Sequence, residues 1–505
     1  MQDNLEVFKE LKSPFVMIIF GATGDLVHNK LIPGLLSLFN QKMLPDDFFV
    51  IGYSRRDWSE EEFKNSFEED QGREGWEEFS KHLYYQKGTF EEEEGYQNLI
   101  KKLNSLDEKM RACIARFFYL ATPPSHYADI LDKLVSTKLS EGCLPHFAEA
   151  STDAKALAEA LADRSRDKPD NGKWTRIIIE KPFGKDLETA KELDLKLSEI
   201  FEEKQIFRVD HYLGKETVQN MLAFRFANGI FEPVWNKTHI DHVQITWAQE
   251  EGIENRGNFF DGIGILRDIV QSHVMQLISA VAMEQPKSFT KDDIRNERAK
   301  VTASIRLVND SPVIRGQYKG YKDEKGVSPD SQTETFAALK LFVDTPRFEG
   351  IPFYVRAGKK MEKEIIEISV VFIQTCHILF KEYGCPEIGN VITFRIQPDE
   401  GISLRFIAKK PGAKLALEPV NMRFHYQEGF GTSGLDAYEK ILLDIFAGDQ
   451  TLFSRSDEIH SSWSLLDNML KVWKNEKNMS TYEAGSWGPE ESSDLIEKDN
   501  RKWIT

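Results

Sequence analysis

The sequence predicts an N-terminal Rossmann-like parallel α/β sheet, followed by an α+β C-terminal domain with a large, mostly antiparallel sheet. A length of 505 residues exceeds what one hydrophobic core usually serves. Short continuous apolar runs alternate with helical patterns in about the first two hundred residues, whereas alternating polar and apolar positions dominate the remainder. We therefore predict one domain over residues 1–208 and a second over residues 209–505.

The parallel sheet is predicted from several apolar segments. Residues 15–20 form an unbroken apolar run, which is typical of a strand buried on both faces. The run ends at glycines, and apolar residues then recur at helical spacing over residues 31–39. Further strands are predicted at residues 48–53, 116–120 and 176–179. Strands that alternate with helices in this way indicate parallel βαβ units.

The second domain shows a different pattern. Residues 242–247, 335–342, 367–372 and 390–395 alternate polar and apolar side chains, which predicts strands with one solvated face and an antiparallel sheet. The acidic runs at residues 60–62 and 91–94 are typical of solvated helix faces or loops. An alanine-rich stretch at residues 154–162 predicts a surface helix.

Composition excludes several classes of protein. The 82 acidic side chains outnumber the 65 basic ones, and a net charge of −17 opposes nucleic-acid binding. No apolar run approaches the roughly 20 residues of a membrane span, and no secretory signal opens the chain. Four cysteines without CxxC spacing predict reduced thiols in a cytoplasmic protein, with neither a disulfide scaffold nor a metal site.

A nucleotide site is predicted where the first strand turns into the first helix. Gly21 and Gly24 would let backbone N–H groups approach a pyrophosphate at the start of the helix. Ile19 occupies the first position of the three-glycine fingerprint, so an ordinary strand–helix turn remains an alternative. The second strand runs into Arg55 and Arg56, with no carboxylate at its end. Because guanidinium groups pair with a 2′-phosphate, this pattern favours NADP, although a surface arginine pair is the simpler explanation.

Two clusters of polar residues predict the chemical centre. Residues 208–216 read Arg-Val-Asp-His-Tyr-Leu-Gly-Lys-Glu, and residues 256–273 end in a histidine. In an α-helix Asp268 and His273 would lie about 140° apart and would not share one stripe. Histidine can take a proton from a hydroxyl near neutral pH, and a carboxylate partner would fix its tautomer. A histidine packed in the core is the alternative.

Seven motifs together resemble the glucose-6-phosphate 1-dehydrogenase family, and they follow the order of that family along the chain. They occupy residues 20–26, 180–184, 208–216, 267–273, 356–359, 448–453 and 484–489. The resemblance implies an NADP-dependent oxidoreductase that converts glucose 6-phosphate to 6-phosphoglucono-1,5-lactone, the first step of the oxidative pentose phosphate pathway. It also implies a homodimer or homotetramer. Some members bind a second NADP near the arginine that Arg356 matches, but the residues give no independent basis for one here.

The resemblance also implies roles for individual residues. His273 would be the base and Asp210 the carboxylate that orients it. The residues implied in substrate binding are Lys181, His211, Tyr212, Lys215, Gln249, Asp268 and Lys359. The residues implied in NADP binding are Gly21, Ala22, Thr23, Gly24, Asp25, Leu26, Arg55, Tyr119 and Lys181. Lys181 precedes a proline that is typically cis in this family.

The chain departs from the family at three places. Gln249 stands where the family usually has a substrate-binding glutamate. Glu364 stands where a second basic residue is usual, with Lys363 one position early. His28 and Asn29 replace a basic pair. These differences leave two alternatives open, namely a related NADP-dependent sugar dehydrogenase with another substrate and a non-catalytic NADP-binding member of the family.

Overall fold

The computed structural model describes residues 13–142, 175–308, 312–431, 434–475 and 479–505. These residues form two compact units. The first contains the described residues up to Gly184, together with Lys191–Val209 and Tyr438–Ser454. The second contains Lys185–Ala190, the described residues of Asp210–Ala437 and those of Arg455–Thr505. The alanine-rich stretch at residues 154–162, for which a helix was predicted, lies outside the described residues.

The first unit is built on a seven-stranded sheet. Its strands are β1 Phe15–Phe20, β2 Phe48–Ser54, β3 Leu83–Lys87, β4 Ala115–Leu120, β5 Thr175–Glu180, β6 Ile206–Val209 and β16 Phe453–Ser454. They lie in the order β16-β6-β5-β4-β1-β2-β3, and all neighbours are parallel except β16 with β6. Every residue of β1 is buried, as its unbroken apolar run predicts. The predicted Rossmann-like sheet is confirmed.

Helices accompany this sheet. They are Val27–Leu31 (a π-helix), Ile32–Asn40, Glu60–Asn65, Glu68–Gln71, Trp76–Phe79, Glu93–Met110, Tyr127–Ser136, Leu187–Ile200 and Ala437–Ala447. The acidic run at residues 60–62 opens one of them, where Ser59 and Glu62 form a capping box. These carboxylates therefore stabilise a helix start on the surface, in line with the prediction of a solvated helix face.

The second unit is built on a ten-stranded sheet. Its strands are β7 Ile240–Ala248, β8 Ile305–Leu307, β9 Ile314–Tyr318, β10 Phe336–Val343, β11 Pro352–Gly358, β12 Ile365–Phe372, β13 Val391–Gln397, β14 Gly401–Lys409, β15 Leu417–His425 and β17 Ser480–Tyr482. They follow the order β15-β14-β13-β12-β7-β11-β10-β9-β17, and β8 pairs with β10. Only β7 with β11 and β9 with β17 are parallel among these described pairs. The predicted, mostly antiparallel sheet is confirmed, but the predicted solvated face is wrong for residues 242–247 and 367–371, because both faces of the sheet are covered there and all these residues are buried.

The helices of the second unit include one that differs from the prediction. They are Glu216–Phe226, Gly257–Phe260, Leu266–Val274, Met275–Ala282, Lys291–Ser304, Cys376–Phe380, Tyr426–Phe430, Ser456–Asn475 and Glu491–Glu497. Leu266–Val274 is a π-helix, so residues five apart lie about one turn apart. Asp268 and His273 are five apart and therefore share one side of the helix. The expected separation of about 140° assumed α-helical geometry and is wrong here.

The cysteines also differ from expectation. Cys376 and Cys385 form a disulfide with their Cα atoms 5.8 Å apart, and Cys113 is disulfide-bonded as well. Cys143 lies outside the described residues. The expectation of reduced thiols is wrong at these positions. Cys376 and Cys385 both lie in the connection between β12 and β13, and only the folded path of that connection brings them together. Among the described residues, no helix is long and apolar enough to cross a membrane.

Candidate active site

The loop that follows β1 has the geometry predicted for a nucleotide-binding turn. Gly21 has φ +84°, and a Cβ atom there would lie 2.5 Å from the carbonyl oxygen of Ala121. The N–H groups of Gly21 and Ala22 donate to the carbonyl of Tyr53 at 2.9 and 3.3 Å. The N–H of Gly24 donates to the carbonyl of Gly21 at 3.0 Å. A side chain at position 21 would be strained and would clash, so the tight turn requires glycine.

The end of β2 brings polar groups to this loop. The hydroxyl groups of Thr23 and Ser54 lie 3.1 Å apart. Arg55 and Arg56 follow and are exposed, and the guanidinium of Arg56 lies 4.8 Å from the ring centroid of Trp58. Two cations therefore follow β2, at the position where an NAD-specific fold would carry a carboxylate.

The other residues predicted to contact a dinucleotide differ in exposure. Ala22 is buried and Asp25 is exposed, while Leu26 and Lys181 are half-buried. The peptide bond from Lys181 to Pro182 is cis, as the resemblance implies.

Tyr119 is fully buried within β4, and its hydroxyl donates to Glu180 Oε1 at 2.5 Å. Burial, followed by the charge of Glu180, raises the pKa of the Tyr119 hydroxyl well above its usual value. Tyr119 and Ala22 are thus the least accessible of the predicted cofactor residues.

His28, which replaces a basic residue of the family, is tied to the glycine loop. Its Nδ1 lies 3.1 Å from the carbonyl oxygen of Gly24 and its Nε2 lies 3.2 Å from Ser66 Oγ. The ring stacks on Phe67 with centroids 4.6 Å apart. The imidazole therefore links the glycine loop to Ser66 and Phe67.

In the second unit the structure joins two residues that are 63 positions apart in the chain. Asp210 follows β6, and its Oδ1 lies 2.6 Å from Nδ1 of His273. Both side chains are only 1% exposed. Asp210 Oδ1 also accepts the N–H of Tyr212 at 3.1 Å, which holds the carboxylate in place. An ionised carboxylate can only accept, so Nδ1 of His273 carries a proton, and in the neutral imidazole Nε2 is then the nitrogen that can accept one. This arrangement is that of a general base oriented by a carboxylate.

Aromatic rings enclose this pair. The ring centroids of Tyr212 and His211 lie 4.4 and 5.2 Å from that of His273. Trp247 lies parallel to the His273 ring, with centroids 5.2 Å apart and 9° between the planes. Burial, and then the negative charge of Asp210, raise the pKa of the Tyr212 hydroxyl. The hydroxyl stays protonated at neutral pH and can donate to an anion.

Two lysines predicted to bind substrate are placed by different elements. Lys359 follows β11 and Gln249 follows β7, and the parallel register pairs Gly358 with Ala248 just before them. Lys359 Nζ consequently donates to Gln249 Oε1 at 2.9 Å. Lys215 immediately precedes the helix Glu216–Phe226, and its Nζ lies 3.6 Å from Glu400 Oε1. Asp268, on the π-helix, is half-buried.

Glu364 is hydrogen-bonded in the structure, and the basic side chain of Lys363 does not take its position. Glu364 Oε2 accepts the N–H of Glu250 at 3.1 Å, and Oε1 accepts from Gln397 Nε2 at 3.3 Å. Burial raises the pKa of Glu364, and the neighbouring carboxylates of Glu251 and Glu250 raise it further. Lys363 Nζ lies 6.0 Å from the ring centroid of Trp487. Lys363 therefore does not take the position of Glu364, and the departure from the family pattern persists in the structure.

Sequence reasoning missed Trp247 and Glu400. Trp247 lies within a strand that the alternating pattern predicts, but no periodicity shows that its ring meets His273. Glu400 is one of many acidic residues, and only the fold brings it to Lys215. Both residues contact the polar cluster at residues 208–216, which the sequence does identify. The sequence does not show which distant residues that cluster contacts.

Comparison with known proteins agrees with this geometry. Residues 18–220 match the family model described as "Glucose-6-phosphate dehydrogenase, NAD binding domain", and residues 222–504 match "Glucose-6-phosphate dehydrogenase, C-terminal domain". Glucose-6-phosphate 1-dehydrogenase of Aggregatibacter actinomycetemcomitans is 40% identical over 507 residues, covering 96% of each chain. Glucose-6-phosphate 1-dehydrogenase 2 of Mycobacterium tuberculosis is 37% identical over 514 residues, covering 98% of this chain and 95% of that protein.

Solved structures show the same similarity. A glucose-6-phosphate dehydrogenase in complex with its substrate glucose-6-phosphate superposes with a TM-score of 0.85 at 30% identity. The match covers 98% of this chain and 99% of that one. The sequence and the fold agree along nearly the whole length, and the match includes both Asp210 and His273. The chain belongs to the glucose-6-phosphate dehydrogenase family.

Proposed function

We propose that the protein oxidises glucose 6-phosphate at C1 to 6-phosphoglucono-1,5-lactone, using NADP, as the first step of the oxidative pentose phosphate pathway. The observation that carries this proposal is the buried Asp210–His273 pair, in which His273 Nδ1 lies 2.6 Å from Asp210 Oδ1. Relatives that bear the glucose-6-phosphate dehydrogenase name support the choice of substrate. A cytoplasmic location and a homodimeric or homotetrameric state are part of the same proposal.

The chain's contribution to the chemistry is proton transfer. Nε2 of His273 takes the proton from O1 of the sugar while the C1–H bond loses hydrogen as hydride and a C1–O1 double bond forms. Bound NADP supplies the acceptor for that hydride. Asp210 stabilises the imidazolium that results and keeps Nδ1 as the donor. Because both residues are buried, their interaction is screened less than at the surface.

Polar groups near this pair match the remaining parts of the substrate. Lys215, His211 and Tyr212 would hold the phosphate, with the protonated Tyr212 hydroxyl donating to one of its oxygens. Gln249 and Asp268 would bond to ring hydroxyls. Lys359, held by Gln249, would add a positive charge to a chain whose net charge is −17. This is the local basic pocket that an acidic protein needs for a phosphorylated substrate.

The loop after β1 fits a dinucleotide. The approach of Gly21 to Ala121 leaves no room for a side chain, and the loop opens the helical segment that starts at Val27. Gly21 to Leu26 would hold the pyrophosphate, and Arg55 would pair with the 2′-phosphate that distinguishes NADP from NAD. Lys181 and Tyr119 remain predictions for cofactor contact.

The test is the formation of reduced nicotinamide by the purified protein with glucose 6-phosphate and either NADP or NAD, beside a His273→Asn variant. We expect NADP-dependent activity that falls by 10²-fold or more in the variant. Activity with NAD alone would overturn the NADP proposal and leave the reaction standing. A folded protein that oxidises another hexose phosphate instead would favour the related-dehydrogenase alternative, with which the neutral amide of Gln249 and the carboxylate of Glu364 are consistent. NADP binding without any oxidation would favour a non-catalytic member.

A further inference from the structure

Trp247 lies directly against the proposed base. It is the second-last residue of β7 and is fully buried. Its ring is parallel to that of His273 within 9°, with centroids 5.2 Å apart. Tyr212 contacts both rings, with centroids 4.3 Å from Trp247 and 4.4 Å from His273. The imidazole is therefore held against the face of an indole in a site from which solvent is excluded.

The proposed reaction places a positive charge on this imidazole. When His273 takes a proton it becomes a cation, and the face of an aromatic ring attracts a cation through its quadrupole. Tryptophan is the strongest of the aromatic partners, and the attraction grows when both groups are removed from water. A parallel indole therefore favours protonated over neutral His273, which is the direction of charge change during catalysis.

The identity of residue 247 carries a second argument. The indole Nε1 is buried and has no hydrogen-bond partner within the described part of the chain. Leaving a buried donor unpaired is unfavourable. Phenylalanine would stack on His273 without this penalty, so a tryptophan here needs a compensating gain. A larger aromatic face over the imidazolium provides one.

Other groups also act on His273 and must be separated from Trp247. Asp210 accepts from Nδ1, while His211 and Tyr212 lie against the ring. The helix Ser456–Asn475 packs on the π-helix, where Gln271 donates to Ser462 at 2.9 Å. The charged and titratable groups next to His273 in sequence or space are Asp210, His211 and Tyr212, with Arg267 and Asp268 on its own helix. The packed elements also carry Asp241 and His242 on β7 and Asp457, Glu458, His460, Asp467 and Lys471 on the helix Ser456–Asn475. Trp247 differs from all of them because it does not titrate.

We propose that Trp247 is a positioning residue that orients His273 and stabilises its protonated form through the face of the indole ring. The inference rests on the proposed function, in which His273 is the base. It makes residue 247 a determinant of the pH range in which the enzyme works.

The test is the pH dependence of kcat/KM for glucose 6-phosphate in the wild-type protein and in Trp247→Leu and Trp247→Phe. A stabilised imidazolium releases its proton at higher pH. Removing the indole therefore moves the acid limb of the kcat/KM profile to lower pH. We expect a downward shift of about one pH unit in Trp247→Leu and a smaller one in Trp247→Phe, where an aromatic face remains. The plateau of kcat should fall about tenfold in the leucine variant, because a weaker base results.

Trp235→Leu is the matched control. Trp235 is equally buried, but its Nε1 donates to the carbonyl of Val281 at 2.9 Å, and its ring contacts Phe372 and Phe394. This variant should lose stability without moving the acid limb. An unmoved acid limb in both Trp247 variants would overturn the inference and leave the residue a merely structural role. If Trp247→Leu does not fold, Trp247→Phe decides.

A second measurement separates this inference from the proposed function. NMR of protein labelled in histidine reports the titration of His273 directly, with His273→Asn identifying its signal. The His273 signal should titrate at lower pH in the Trp247 variants even if the wild-type protein does not oxidise glucose 6-phosphate. An inactive wild-type protein would therefore count against the proposed function, and an unshifted His273 signal against the role of Trp247.

Discussion

Replacing Asp210 by asparagine removes one charge from the candidate active site and leaves its shape almost unchanged. Asn keeps an oxygen that can accept from Nδ1 of His273 and from the N–H of Tyr212, the two contacts that Asp210 Oδ1 makes at 2.6 and 3.1 Å. The negative charge that stabilises the imidazolium is lost. We therefore expect kcat to fall sharply, with a much smaller change in KM.

The magnitude follows from the geometry of the pair. The centres of the imidazolium and carboxylate charges lie about 4 Å apart, and at an effective dielectric constant of about 20 their attraction is about 4 kcal/mol. Since each 1.36 kcal/mol corresponds to a tenfold change in rate, the loss of this attraction lowers kcat by about 10³-fold. The near-complete burial of both side chains, each 1% exposed, keeps solvent from screening the interaction.

The assay is steady-state formation of reduced nicotinamide with saturating glucose 6-phosphate and NADP, together with urea unfolding of each variant. Asp444→Asn is the control, since Asp444 is also a buried carboxylate, paired with Lys440 at 2.7 Å in the first unit. It should retain kcat. A folded Asp210→Asn variant with kcat within about tenfold of the wild-type value would refute the role of this carboxylate.

Three further changes test other parts of the site and the fold. Arg55→Gln should raise KM for NADP by about 10-fold or more and leave KM for NAD unchanged, because only NADP carries the 2′-phosphate; equal effects on both cofactors would contradict this assignment. Glu364→Lys should lower KM for glucose 6-phosphate by about tenfold at low ionic strength, because a cation then attracts the phosphate, and added salt should reduce this effect. A KM that does not depend on salt would place the phosphate elsewhere. Glu334 is fully buried, and desolvation raises its pKa to about 7 from 4.5. The folded protein therefore holds this proton to higher pH than the unfolded chain, and stability falls as pH rises from about 4.5 to 7. Glu334→Gln should remove this loss, about 3 kcal/mol by pH 8, and urea unfolding that shows the same pH slope for both proteins would exclude it.

Much of the fold could be predicted because buried segments have recognisable patterns of apolar residues in the sequence. The apolar run at residues 15–20 is typical of a strand covered on both faces, and it coincides with β1. The alternation at residues 367–372 lies within β12, Ile365–Phe372. Gly21 was predictable for a similar reason, since a tight turn before a helix demands a positive φ that glycine adopts most easily. These signals are local, and neighbouring residues suffice to produce them.

The relations between distant segments could not be predicted in this way. The segment Tyr438–Ser454 joins the first unit and adds β16 to its sheet, although it follows the second unit's strands in the chain. The disulfide of Cys376 with Cys385 depends on the fold of an excursion whose spacing carries no recognised pattern. The π-helix at Leu266–Val274 could not be predicted either, because helical periodicity in a sequence is analysed with the α-helical angle of about 100° per residue.

The class of fold, the glycine turn after β1 and the residue types available for proton transfer could all be predicted from the sequence, because each depends on short-range patterns of polarity and backbone freedom. Only the tertiary structure decided which of those residues meet. It brings Asp210 to 2.6 Å from His273, lays Trp247 on the same imidazole and joins Lys359 to Gln249. These contacts depend on strand register and on the turn of a π-helix, and both follow from the packing of the whole unit.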